Sequence, residues 1–210
     1  LGYEGDYIVM ENGVDVPRGR VSDEAIAAAT GRYDLPQNVP VFLFVGRLMW
    51  YKGICIILDA LKTLREKNVD FRMVFVGEGA DGAEIRSYAE ERKLSDRCFF
   101  TGAISDREII RAWYGRSDLL LFPSTFDTNG LVVREAAASG TATVMIRNSC
   151  ASEGVGDGRN GFCIEENAAA MAAKLEELCR APEVMQVVGE NAQRELYVSW
   201  ETAVQRAMAR

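Results

Sequence analysis

The fold turns on Val41-Phe42-Leu43-Phe44-Val45-Gly46-Arg47-Leu48-Met49-Trp50-Tyr51-Lys52-Gly53. Its first five residues are all apolar, with no polar alternation. Both faces must therefore be covered, as in a parallel strand between layers of helices. A glycine and a cationic loop follow. From Lys52 to Lys67, Ile54, Ile57, Ala60, Leu61 and Leu64 then recur at helical spacing. A buried strand running through a short loop into an amphipathic helix is the repeating unit of an α/β sheet.

The same alternation continues downstream. Strands are expected at Phe71–Val76, Cys98–Phe100, Leu119–Phe122, Ala142–Ile146 and Phe162–Ile164. Helices are expected at Gly82–Lys93, from the capping box Ser105-Asp106-Arg107-Glu108 to Tyr114, at Gly130–Ser139, and near Ala168–Arg180, Pro182–Glu195 and Trp200–Met208. Upstream, Tyr7–Met10 reads as a short strand, Glu11–Asp15 as a turn and Ser22–Thr30 as a short helix. Pro36 and Pro40 punctuate the chain before the first strong strand. The fold class is α/β: a Rossmann-like parallel sheet with helices on both faces. Ligands bind such sheets beyond the carboxyl ends of the strands, where the strand order reverses.

Composition narrows the chemistry. The 210 residues carry a net charge of −7, which argues against nucleic acid as the main partner. Histidine is absent, which removes the commonest general base and metal ligand. Neither a metal site nor a cofactor is expected. The five cysteines are widely spaced, without a CxxC pair, as for buried small residues of a cytoplasmic protein. No apolar run approaches the roughly 18 to 20 residues that span a bilayer, and no signal peptide is evident. The chain begins at Leu1 and reads as the interior of a longer protein.

Two loops carry the chemistry. After the first strand, Gly46, Arg47 and Lys52 sit at the mouth of the sheet beside a helix start, where free amides and partial positive charge suit a diphosphate. The alternative is two solvated surface cations. After the fourth strand, Pro123-Ser124-Thr125-Phe126-Asp127-Thr128-Asn129-Gly130 leads into a helix that is apolar nearly all round and carries Glu135. Eight helical residues from Asp127 to Glu135 would rise about 12 Å, the span from a sugar to a ribose across a diphosphate. Asp127 could equally cap the helix while Glu135 pairs with an internal arginine. From the residues alone, both accounts stand.

Gly46-Arg47…Lys52-Gly53, Asp127-x7-Glu135 and the following Ala-Ala-Ala-Ser-Gly resemble glycosyltransferase family 4, from about residue 8 to the end. Asn12-Gly13-Val14-Asp15 is similar to the turn where that family's chain enters its second half. The resemblance implies one half of a GT-B fold, the half that binds the nucleotide-sugar donor, with the sugar transferred with retention. It divides the chain into a linker at 1–20, a Rossmann-like nucleotide-sugar-binding domain at 21–195 and a C-terminal helix at 196–210. It implies that Arg47 and Lys52 grip the diphosphate, that Asp127 meets the donor sugar and that Glu135 meets the ribose. Gly46, Gly77, Gly79, Asn129, Gly130 and Leu131 would line the donor cleft, and Ile104 would lie near the base. The donor is expected to be UDP-glucose or a similar UDP-sugar. The acceptor, and any membrane association, would belong to the missing N-terminal domain, without which no turnover is expected. Family members usually have Glu where Asp127 stands, which leaves the sugar open.

Two other readings compete. A binding module could keep the fold without catalysis, but the intact Arg47, Lys52, Asp127 and Glu135 argue against it. Gly77-Glu78-Gly79-Ala80-Asp81-Gly82 matches the GxGxxG fingerprint of a nicotinamide-dependent oxidoreductase. That motif normally follows the first strand, whereas here Val41–Val45 already precedes it. Trp200 and the last helix either pack across onto the other half or belong to the core.

Overall fold

The computed structural model describes residues 10, 12–127 and 130–209. The strand expected at Tyr7–Met10 thus lies almost wholly outside the described residues. In chain order the elements are α1 (Asp23–Thr30), β1 (Val41–Val45), α2 (Ile54–Glu66), β2 (Arg72–Val76), α3 (Gly82–Glu91), β3 (Cys98–Gly102) and α4 (Arg107–Arg116). β4 (Leu119–Phe122), α5 (Leu131–Ala138), β5 (Ala142–Ile146), β6 (Phe162–Ile164), α6 (Ala168–Arg180), α7 (Pro182–Glu195) and α8 (Trp200–Met208) complete the series.

The strands form one six-stranded sheet in the order β3-β2-β1-β4-β5-β6, and every neighbouring pair is parallel. The chain grows outward from β1 in one direction, then crosses back to start β4 on β1's other side. The switch point therefore lies between β1 and β4, and a crevice opens beyond their carboxyl ends. At the opposite end the two strands are tied by Asp118, whose carboxylate accepts from the Val41 amide at 2.7 Å while its own amide donates to the Val41 carbonyl at 2.8 Å.

The apolar run in β1 is buried along its whole length. Val41, Leu43 and Val45 join Trp113, Tyr114 and Val133 on one face of the sheet, under α4 and α5. Phe42 and Phe44 point to the other face, packing with Ile57 and Leu61 of α2 and Met171 and Leu175 of α6. Each large side chain buried this way contributes roughly 1.5–3 kcal/mol, so two covered faces hold the strand rigid behind its loop.

Three local expectations are corrected. α4 is capped by Asp106, not Ser105: the Asp106 carboxylate accepts from the Glu108 amide at 2.8 Å and the Ile109 amide at 3.4 Å. An acidic cap beside the first helical amides suits the positive end of the helix. α2 begins at Ile54, after a 3₁₀ turn at Trp50–Lys52 that ends on a left-handed Gly53. The helix after β4 begins at Leu131, and Leu131 is 42% exposed, so it is not buried all round.

The segment before α1 is tied down. The Val14 amide donates to the Val198 carbonyl at 2.9 Å and the Gly19 amide to the Ala138 carbonyl at 2.8 Å. α8 buries Ala203 and exposes Trp200, Val204 and Met208. Among the described residues, no helix is long and apolar enough to cross a membrane.

Candidate donor site at the strand ends

The loop after β1 is braced by backbone. The Gly46 amide donates to the Val76 carbonyl at 3.0 Å and the Leu48 amide to the Glu78 carbonyl at 3.1 Å. The Trp50 amide donates to the Asp81 carboxylate at 2.8 Å. Gly77 makes this close approach possible: its φ is +137°, and a Cβ there would lie 2.0 Å from the Gly46 oxygen. A Cβ on Gly79 would lie 2.3 Å from the Leu48 oxygen. The Gly-x-Gly turn thus packs against the phosphate-loop candidate itself. Neither glycine is among the described residues lining the two hollows below.

Gly53 performs the same service toward β4. Its φ is +74°, and a Cβ would lie 2.3 Å from the Pro123 oxygen. Contact between the two loops brings Lys52 to Asp127, whose Nζ and carboxylate pair at 2.5 Å with side chains only 13% and 25% exposed. Tyr51 meets Phe126 edge-on, with ring centroids 6.3 Å apart.

Lys52 and Asp127 line a hollow of about 170 Å³, together with Val45, Gly46, Phe122, Gly130, Leu131 and Val132. Gly130 takes the left-handed conformation (φ 54°) that starts α5, so the positive end of that helix lines the hollow beside the lysine. Asp127 does not cap the helix; its carboxylate is engaged by Lys52. α5 starts only at Leu131, after the left-handed Gly130, so the rise expected of eight helical residues does not apply.

A second hollow, of about 180 Å³, adjoins the first at Leu131 and contains Glu135. Glu135 meets no internal arginine in a hydrogen bond among the described residues. Its carboxylate accepts from the Tyr114 hydroxyl at 3.1 Å. Burial raises the Glu135 carboxyl above its ordinary value of 4.5, while the Tyr114 hydrogen bond and the charge of Arg107 pull it down. Burial, reinforced by the neighbouring carboxylate, holds the Tyr114 phenol well above 10.0. Tyr114 is therefore a fixed donor that orients Glu135. The sequence marks it only as one polar-tipped ring on an otherwise apolar helix face.

Two more of the expected residues stand outside both linings. Arg47 is exposed, donates to the Tyr51 hydroxyl at 2.9 Å and is not among the described residues lining either hollow. The Arg47 side chain follows Tyr51 to the rim. Ile104 is half-buried against the core on the α4–α5 face, also outside both linings. Asn129 lies outside the described residues.

A larger hollow, about 1160 Å³, is at the amino end of the sheet, walled by α1 and α7 and floored by Arg116, Asp118 and Thr141. Among the described residues, no group of three or more His, Cys, Asp or Glu side chains could hold a metal ion.

A family model described as glycosyl transferases group 1 matches residues 28–195, most of the chain. The chain belongs to this family. D-inositol 3-phosphate glycosyltransferase of Streptomyces avermitilis is 29% identical over 209 residues, covering 95% of this chain and 45% of that protein. A glycogen synthase of Mycobacterium tuberculosis is 28% identical over 197 residues, covering 92% of this chain and 45% of that protein. The chain thus spans about half the length of these group 1 relatives. Anabaena HepE, solved in complex with UDP and glucose, superposes with a TM-score of 0.83 at 23% identity, over 96% of this chain and 55% of that one. The isolated C-terminal domain of a group 1 protein from Francisella tularensis superposes with a TM-score of 0.67 at 23% identity, over 76% of this chain and 87% of that domain. At such identities the likeness establishes the fold, which is the Rossmann-like fold of GT-B glycosyltransferases.

Proposed function

We propose that this group 1 domain is the donor-binding half of a retaining glycosyltransferase of family 4, with a UDP-sugar such as UDP-glucose as donor. One observation carries the reading. Lys52, Asp127 and the start of α5 share one hollow, and Glu135 sits in the next, across Leu131. Diphosphate and sugar would occupy the first hollow and ribose the second. The HepE complex with UDP and glucose supports the ligand class, and the five free cysteines suit a cytoplasmic protein.

In the reaction, the bond from the anomeric carbon to the β-phosphate oxygen breaks as the acceptor oxygen bonds to the same face of that carbon. The acceptor's proton passes to the departing phosphate, so no protein base is required. Negative charge grows on the diphosphate, and Lys52 with the α5 amides meets it as preorganised electrostatic stabilisation. Arg47 joins them by swinging in from Tyr51. Asp127 exchanges its ion pair for the sugar hydroxyls as Lys52 turns to phosphate. The acceptor site belongs to the half of the protein beyond this domain.

Calorimetric titration with UDP tests the assignment. Lys52→Ala should weaken binding by about 1.5–3 kcal/mol, as for loss of a charge-assisted hydrogen bond. An unchanged affinity would sink the site.

A further inference from the structure

The Glu135 hollow is not built by the Rossmann-like unit alone. α4 and α5 supply Arg107, Ile110, Arg111, Tyr114, Leu131 and Glu135. The facing wall comes from Gly13–Val16 and from Trp200 at the start of α8. Both pieces lie outside residues 28–195, the part that the family model matches.

That outer wall is held in place at several points. Gly13 is pressed against the Trp200 backbone, where a Cβ would come within 2.4 Å of the Trp200 nitrogen. The Tyr197 hydroxyl donates to the Val16 carbonyl at 3.1 Å. Arg107 spans the two walls: it donates to the Asp15 carbonyl at 3.1 Å and pairs with the Asp15 carboxylate. Arg111 donates to the Gly19 carbonyl at 3.1 Å and to Glu108 at 2.9 Å, yet its Nε is buried with no acceptor among the described residues. A buried donor without a partner marks a hydrogen-bond set that something else completes.

We propose that the nucleoside end of the donor is held between these walls, that the Asp15–Arg107 pair latches them, and that Trp200 is a wall of the subsite. The inference rests on reading Glu135 as the ribose-binding carboxylate. The chemistry of the lining fits a nucleoside. Glu135 accepts from ribose hydroxyls, and Trp200 with Ile110 and Leu131 offers flat and apolar surface to a ring. Arg111 lines the same hollow, and its unpaired Nε is the donor left for a ligand oxygen. Donor affinity then depends on a segment that otherwise serves only to lead the chain into the domain.

The test titrates the 210-residue chain with UDP, UMP and inorganic pyrophosphate. Asp15→Asn leaves folding intact, because that side chain is 77% exposed. It should weaken UDP and UMP roughly three- to tenfold and leave pyrophosphate unchanged. Arg111→Gln should weaken both nucleotides about tenfold, again sparing pyrophosphate. UMP should alter indole emission in the parent chain and not in Trp200→Phe. Unchanged nucleotide affinity in Asp15→Asn and Arg111→Gln, with Lys52→Ala still weakening UDP, overturns the two-walled subsite and leaves the donor assignment standing. If Lys52→Ala also leaves UDP unchanged, it is the donor assignment that fails.

Discussion

The two ends of the sheet differ in what their polar groups hold. At the amino end four of them are committed to the protein's own backbone. Asp118 holds the Val41 amide at 2.7 Å, Arg116 the Leu35 carbonyl at 2.7 Å, Thr141 the Tyr114 carbonyl at 2.7 Å and Gln193 the Ala138 carbonyl at 2.9 Å. At the carboxyl end Lys52 and Asp127 hold each other, and Glu135 holds only a phenol. A side-chain ion pair can be exchanged for a ligand's charge and hydroxyls. A side chain bound to backbone cannot be released without orphaning a buried peptide group, at a cost of about 1–3 kcal/mol. Hollow size points the other way, with about 1160 Å³ at the amino end against 170 and 180 Å³. Exchangeability, rather than volume, distinguishes a site from a groove.

The largest expected effect breaks the carboxyl end at its brace. In Gly77→Val a branched side chain must adopt φ +137° with its Cβ against the Gly46 oxygen. Backbone strain of about 1–3 kcal/mol and overpacking of similar size add to a loss of roughly 2–6 kcal/mol. Urea unfolding measures it, and stability within about 1 kcal/mol of the parent would show that the Gly-x-Gly turn does not brace the loop after β1.

A smaller effect separates Glu135's energetic role from its proposed binding role. Its folded pKa is raised, so between 4.5 and that raised value the native state holds the proton more tightly than the unfolded chain. Stability therefore falls as pH climbs through this window, and at pH 7 the buried charge is fully penalised. Glu135→Gln should melt higher than the parent at pH 7, with the advantage vanishing below about pH 4.5. Its affinity for UDP should drop about tenfold. A variant that melts lower at pH 7 would mean that the carboxylate is structural.

The sheet is legible in the sequence because fully apolar strands such as Val41–Val45 admit few other environments, and strand-helix alternation fixes parallel pairing. Lys52, Asp127 and Gly130 are legible as residue types on strand-end loops. Their meeting is not, since it depends on Gly53 letting Pro123 approach. Tyr114 stays hidden because nothing local separates a buried phenol that orients a carboxylate from a core ring. Where the Arg47 and Ile104 side chains point is hidden as well. A position in a motif fixes where the backbone goes, whereas Tyr51 and the core decide where those side chains point. The wall at Gly13–Val16 is hidden by distance along the chain: Gly13 and Glu135 lie on either side of four strands, beyond the reach of any local pattern that could link them.

The smallest expected effect is at the amino end, and it is the sharpest test of the contrast. Asp23 and Glu190 line the large hollow and are exposed. β1 has five residues and β4 four, so roughly 13–17 Å of sheet separates the two ends at about 3.3 Å per residue. At physiological ionic strength charges are screened over about 8 Å, so removing these two should reach Lys52 only weakly. Asp23→Asn combined with Glu190→Gln should leave UDP affinity within about twofold. A larger change would place the ligand, or an element coupled to it, at the amino end of the sheet.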